Sequence, residues 1–125
     1  MLQKQSIRAI RGRIENFLRA RRKKAGLSQR DVGILLGYVD EIAVLRHERS
    51  KTLPPLLSAI GYEIIFSTPI TELFPGVRES VGKLIEEQIL RLEEGLQEKN
   101  KDGRRRSRLA RKLAWISERR STNQK

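Results

Sequence analysis

The chain has 125 residues and a formal net charge of +12, from 27 Lys and Arg against 15 Asp and Glu. It has no cysteine and one histidine, His47, which excludes a disulfide framework, a thiolate metal site and a multi-histidine metal cluster. No apolar run approaches the roughly 20 residues of a transmembrane helix. The opening MLQKQSIRAIRGRIENFL lacks the continuous apolar core of a secretory signal, so a soluble cytoplasmic protein without membrane contact is expected.

The first dozen residues are weakly patterned. Ile14, Phe17, Leu18 and Arg21 then follow an i, i+3, i+4, i+7 spacing and predict a first helix over residues 13–25. Gly26 is its stop, because glycine enters the left-handed conformation cheaply. Ser28 is the N-cap of a second helix, with Asp31 three residues on in a variant of the capping box. Val32, Leu35 and Leu36 supply its apolar face. Gly33 costs about 1 kcal/mol against alanine inside a helix, which implies close approach by another helix. Gly37 ends the helix.

Asp40 is the expected N-cap of a third helix, with Glu41 in its first turn, where acids complement the helix dipole. Ile42 or Ala43, then Val44, face inward, and Arg46, Arg49 and Lys51 fall toward the C-terminal end. After the Thr52-Leu53-Pro54-Pro55 break, LLSAIGYEIIF (residues 56–66) reads as a buried helix on the 56, 60, 64 spacing, although its β-branching also suits a strand. Thr68-Pro69 is a cap-plus-proline start for a short fifth helix in ITELF, and Pro75-Gly76 closes this unit.

Residues 77–99 read as one long amphipathic helix. Ile85, Ile89, Leu92 and Leu96 form a seam suited to another helix. It is a dimer or partner seam, or the face that folds back on the following helix, where Leu109, Leu113 and Ile116 share a stripe and Trp115 stands about a third of a turn away. Asn100 to Gly103 reads as a loop, and the tail STNQK as disordered. The expected domains are thus 13–76 and a helical extension over 77–125.

Charge is clustered at both ends. Residues 1–50 carry 12 Lys and Arg against 5 acids, and residues 103–125 carry 9 against 1, around a middle that is neutral to acidic. Phosphate binding needs clustered cations, so the pattern favours a polyanion partner over a merely solubilising surface.

Two short helices joined by a glycine-containing turn make a helix-turn-helix pattern. GLSQRDVGILLG (residues 26–37) followed by VLRHERSK (residues 44–51) closely resembles the helix-turn-helix of the Cro and lambda-repressor type, the XRE family. The likeness extends through YEIIF…PITELFPG and covers residues 14–76, about half the chain. It implies an all-α fold: a five-helix lambda-repressor-like DNA-binding domain followed by a two-helix C-terminal extension.

It also implies a function, a sequence-specific DNA-binding transcriptional regulator, a repressor or autoregulator that binds double-stranded DNA as a dimer and is nucleoid-associated. Ser28, Gln29 and Arg30 would meet the backbone at the second helix's start, with Gln29 bonding a phosphate. Asp40, Glu41, Ile42, Ala43 and, one turn on, Arg46 would stand at the reading positions, while Arg49 and Lys51 would hold the backbone. Val44 and Leu35 would be core, His47 a packed side chain, and Glu48 an internal acid paired to a first-helix arginine.

Three departures stand out. Ser50 replaces the family's usual glycine, the turn before the third helix is one residue longer, and the reading positions lack Gln, Asn, Ser and Thr. Acids there accept only, so a directed base contact would be to cytosine N4. Two other classes remain open: an antitoxin-like component whose C-terminal helices hold a protein partner, and a nonspecific nucleic-acid-binding protein using its basic ends. RRRSRLARK (residues 104–112) is either a second phosphate surface or a solvated basic helix. No cofactor and no enzyme activity are expected: Ser28 beside His47 and Asp31 is better explained as a cap than as a nucleophile.

Overall fold

The computed structural model describes residues 6–10, 14–100 and 106–123. These are all-helical: α1 (Ile7–Ile10), α2 (Leu18–Lys24), α3 (Gln29–Leu35), α4 (Ile42–Glu48), α5 (Leu56–Phe66), α6 (Ile70–Leu73), α7 (Val77–Asn100) and α8 (Arg106–Asn123). The chain forms two compact units, Met1–Val81 and Gly82–Lys125, and the division falls inside α7. No helix among the described residues is long and apolar enough to cross a membrane.

In the first unit each of α2 to α6 sends one side chain fully out of water: Leu18, Val32, Val44, Tyr62 and Leu73, all at 0 % exposure. Burial of each of the four aliphatic ones stabilises by about 1.5–3 kcal/mol, and with Tyr62 they hold helices too short to persist alone. Phe74 completes the cluster, and Ile14, Leu36, Tyr38 and Phe66 pack around it. A Cβ on Gly61 of α5 would lie 2.5 Å from Leu36 Cδ2, so the absent side chain lets α5 close on the end of α3.

Several helix ends use the same device. Leu27 N–H donates to Arg22 O and Gly26 N–H to Lys23 O, and the pair recurs at Tyr38 with Gly33 O and Gly37 with Ile34 O. These are Schellman motifs with a left-handed residue after the cap, and Gly26 and Gly37 have φ of 75° and 79°. The third copy, Lys51 to Arg46 O and Ser50 to His47 O, places a serine in the left-handed position, at φ 57°.

The first helix starts later than its periodicity predicts. Residues 14–17 are not helical, because Asn16 is engaged elsewhere: its Oδ1 accepts from Leu18 N–H at 3.0 Å and its Nδ2 donates to His47 O at 2.9 Å. Phe17, expected on the apolar face, is 51 % exposed, and its N–H donates to Leu73 O at 2.8 Å. Helix α5 is a helix, as expected, but the 56, 60, 64 stripe is its exposed face: Leu56 and Ile64 are each 72 % exposed and Ile60 38 %. Apolar residues lie on most sides of the helix, so periodicity names no inner face. Thr68 does not cap α6. Its hydroxyl donates back to Phe66 O at 2.8 Å, and Glu63 Oε1 of α5 accepts the Ile70 N–H at 2.9 Å instead.

The second unit is a helix pair. Ile89 and Leu96 of α7 are buried with Leu109 and Ile116 of α8, and Leu113 packs against them. Glu86 pairs with Arg119 at 2.7 Å and Glu93 with Arg120 at 2.9 Å. Helix α8 continues through Asn123, so Ser121 and Thr122 of the tail expected to be disordered are helical, and Thr122 Oγ1 donates to Glu118 O at 3.1 Å. Asn100 ends α7; the rest of the expected loop, residues 101–103, lies outside the described residues, as do Gln124 and Lys125.

Candidate nucleic-acid interface

Helices α3 and α4 are seven residues each and are fixed to one another by backbone proximity. A Cβ on Gly33 would lie 2.9 Å from Asp40 O and 3.7 Å from Glu41 Cα. The close approach implied by Gly33 is therefore real, but the neighbour is the turn that enters α4 rather than a helix.

Ser28 and Asp31 form the complete capping box. Asp31 N–H donates to Ser28 Oγ at 3.0 Å, and Ser28 N–H donates to Asp31 Oδ2 at 2.8 Å. The Ser28 backbone N–H in turn holds the Asp31 carboxyl below the usual carboxylate range. At the other junction α4 begins at Ile42, one residue later than Asp40 as N-cap would place it, with Glu41 in the cap position and making no side-chain cap bond. Asp40 still does part of the work, since its Oδ1 accepts the Ile42 N–H at 2.9 Å.

Under these helices lies a buried ion pair. Arg22 Nε and Nη2 donate to Glu48 Oε2 and Oε1 at 2.6 and 3.1 Å, and Arg22 Nη1 donates to Leu27 O at 3.0 Å. The Glu48 side chain is 3 % exposed. The bidentate bond to Glu48 raises the Arg22 guanidinium further above its ordinary value. Arg22 is thus the first-helix arginine that the family likeness implies as the partner of Glu48. Beside this pair, His47 is buried, its Nδ1 shares a 2.8 Å hydrogen bond with the Tyr62 hydroxyl, and burial lowers its affinity for a proton. Tyr38 OH bonds Ser58 Oγ nearby.

A cleft of about 440 Å³ opens between α2, α3 and α4, lined by Arg19, Arg22, Ser28, Gln29, Glu48 and Arg49 among others. Arg22 is committed to Glu48, whereas Arg19 and Arg49 are exposed. The cleft thus offers two cations and the start of α3 to an anion. Gln29 is in the cleft, but its Nε2 donates to Glu48 Oε1 at 3.2 Å, so a phosphate would have to compete with that contact. Arg30, Arg46 and Lys51 are exposed, as are Asp40, Glu41 and Ile42, while Ala43 is half-buried. Leu35, expected in the core, is 59 % exposed; Leu36, expected on the same apolar face, packs inward, and Val44 is core as expected.

The 85, 89, 92, 96 seam divides. Ile89 and Leu96 are taken up by α8, while Ile85 and Leu92 remain 37 % and 46 % exposed. Sequence reasoning missed Arg19, although it stands one turn before Arg22 on the same helix. It also missed Asn16, whose only local signal is a residue type that competes with helix. Among the described residues no group of three or more His, Asp or Glu could hold a metal ion. No protein-family model, no curated protein and no solved structure matches the chain.

Proposed function

We propose that residues 14–76 are a helix-turn-helix domain of the Cro and lambda-repressor type and that the chain is a sequence-specific DNA-binding transcriptional regulator. The observation that carries this reading is the cleft in which Arg19, Arg49, Gln29 and Ser28 converge next to a short α4 whose Arg46 is exposed. Phosphate contacts at the cleft set the register on the duplex, and α4 enters the major groove. Occupancy of a promoter then represses it, the chain's own promoter being one target. Asp40 contributes to the start of α4 rather than to recognition, and Glu41 penalises bases other than cytosine.

Dimerisation belongs to the outer face of α5. Leu56, Leu57 and Ile64 are 72 %, 82 % and 72 % exposed, a set that calls for cover by a partner surface. The occupant is a second copy, because residues 51–74 carry 1 basic against 2 acidic residues and so let two strongly positive chains approach. Selection of bound duplexes from a random pool at near-physiological salt tests the reading. Two spaced half-sites are expected from the full chain, and one half-site from Leu57→Glu. An unenriched pool with affinity that collapses as salt rises would replace it with nonspecific binding by the basic ends.

A further inference from the structure

Helix α8 carries a second surface that the helix-turn-helix reading does not use. Arg108, Lys112, Trp115 and Arg119 step by 4, 3 and 4 residues, with Arg111 adjacent, so they share one stripe of the helix. This stripe flanks the buried one formed by Leu109, Leu113 and Ile116. Arg108, Arg111 and Lys112 are exposed, and no ion pair or hydrogen bond holds them among the described residues. Trp115 is 49 % exposed. The Arg119 guanidinium lies over its ring at 5.8 Å and is itself tied to Glu86 at 2.7 Å. The indole is therefore oriented by a fixed cation, with about half its surface left to solvent.

We infer that this stripe binds single-stranded nucleic acid, Arg108, Arg111 and Lys112 tracking phosphates while Trp115 stacks an unpaired base. Two features select that ligand. Lys112 stands one turn before the ring, and lysine is depleted at the centre of protein–protein contacts, whereas clustered Lys and Arg neutralise phosphates. The exposed indole offers a planar face on which a base can stack, and a duplex keeps its base faces stacked inside, whereas a single strand presents them. The stripe from Arg108 to Arg119 is about 16 Å long. The inference does not rest on the function proposed for residues 14–76.

Trp115 is the only tryptophan in the chain, so its emission reports this stripe alone. The full chain is titrated with a thymidine oligonucleotide of about 15 nucleotides, with a random-sequence duplex and with phosphatidylglycerol vesicles. Expected is saturable quenching by the single strand at concentrations where the duplex has little effect. By anisotropy of the labelled strand, Trp115→Leu weakens binding roughly tenfold and Trp115→Phe restores most of it. The triple variant R108A/R111A/K112A lowers the slope of log K against log salt by about 2. The double variant R46A/R49A leaves the quenching intact. Strand binding with unchanged emission, equal quenching by duplex, loss of quenching in R46A/R49A, or a response to vesicles alone would each overturn the inference.

Discussion

The carbonyl oxygen of Asp40 stands 2.9 Å from the place a Gly33 Cβ would occupy. Alanine should stabilise a helix interior by about 1 kcal/mol over glycine, but here the obstacle is backbone and cannot rotate aside. Gly33→Ala is therefore expected to destabilise the first unit by about 1–3 kcal/mol, with a lower midpoint in chemical denaturation. A stabilised variant would show that the turn before α4 yields freely and does not set the angle of the two helices.

Ser50 stands where the motif that this chain resembles usually has glycine. It stands at φ 57°, where a side chain costs roughly 1 kcal/mol relative to glycine. In return its hydroxyl donates to Ile14 O at 2.7 Å and accepts from Asn16 Nδ2 at 3.2 Å, tying the segment before α2 to the end of α4. Ser50→Gly removes both bonds and the strain, so little net change is expected. Ser50→Ala removes the bonds and keeps the strain, and should unfold about 1 kcal/mol more easily than the glycine variant. Equal stability of the two variants would mean that the backbone there is unstrained.

His47 makes the first unit sensitive to mild acid. Burial holds its folded-state pKa below 6.5, its ordinary value, so the unfolded chain takes up the proton first as pH falls. Stability is full above about pH 6.5, declines below it with a slope of at most about 1.4 kcal/mol per pH unit, and levels off once the folded state is also protonated. Burial pushes the Tyr62 phenol, edge-on to the ring, up from its ordinary value, so it takes no part in this range. Thermal midpoints measured from pH 8 to pH 5 are expected to fall for the native chain and to stay flatter for His47→Gln. Parallel curves would assign the loss to carboxylates.

The features legible in sequence were those fixed within a few residues: the Ser28 and Asp31 box, the glycine stops and the existence of α5. What escaped was set across the fold. Asn16 delays α2 because its partners, His47 and Ser50, lie more than 30 residues away. Leu35 and Leu36 are adjacent apolar residues, and it is Leu36 that meets α5, its Cδ2 lying against the place of a Gly61 Cβ. In α5 the largely apolar sequence cannot say that Tyr62 is the anchor, since the hydroxyl's partner, His47, lies on α4. Arg19 escaped because a cation on a helix surface has no meaning until Arg49 is brought beside it.

Arg46 and Arg49 are three residues apart on or beside α4, and the proposed function gives them different work. Arg49 lines the cleft, where on that reading it would neutralise a phosphate whatever the sequence. Arg49→Ala should weaken cognate and random duplexes alike and reduce the slope of log K against log salt by about 0.9. Arg46 stands free in α4 and, paired with a guanine edge, would supply about 1–3 kcal/mol of discrimination. Arg46→Ala should then lower affinity for the selected duplex by roughly 5- to 150-fold beyond any loss on random DNA. Equal losses on both duplexes for both variants would leave Arg46 a backbone contact. Recognition would then rest on Glu41, Ile42 and Ala43 at the start of the helix, the residues least equipped with hydrogen-bond donors.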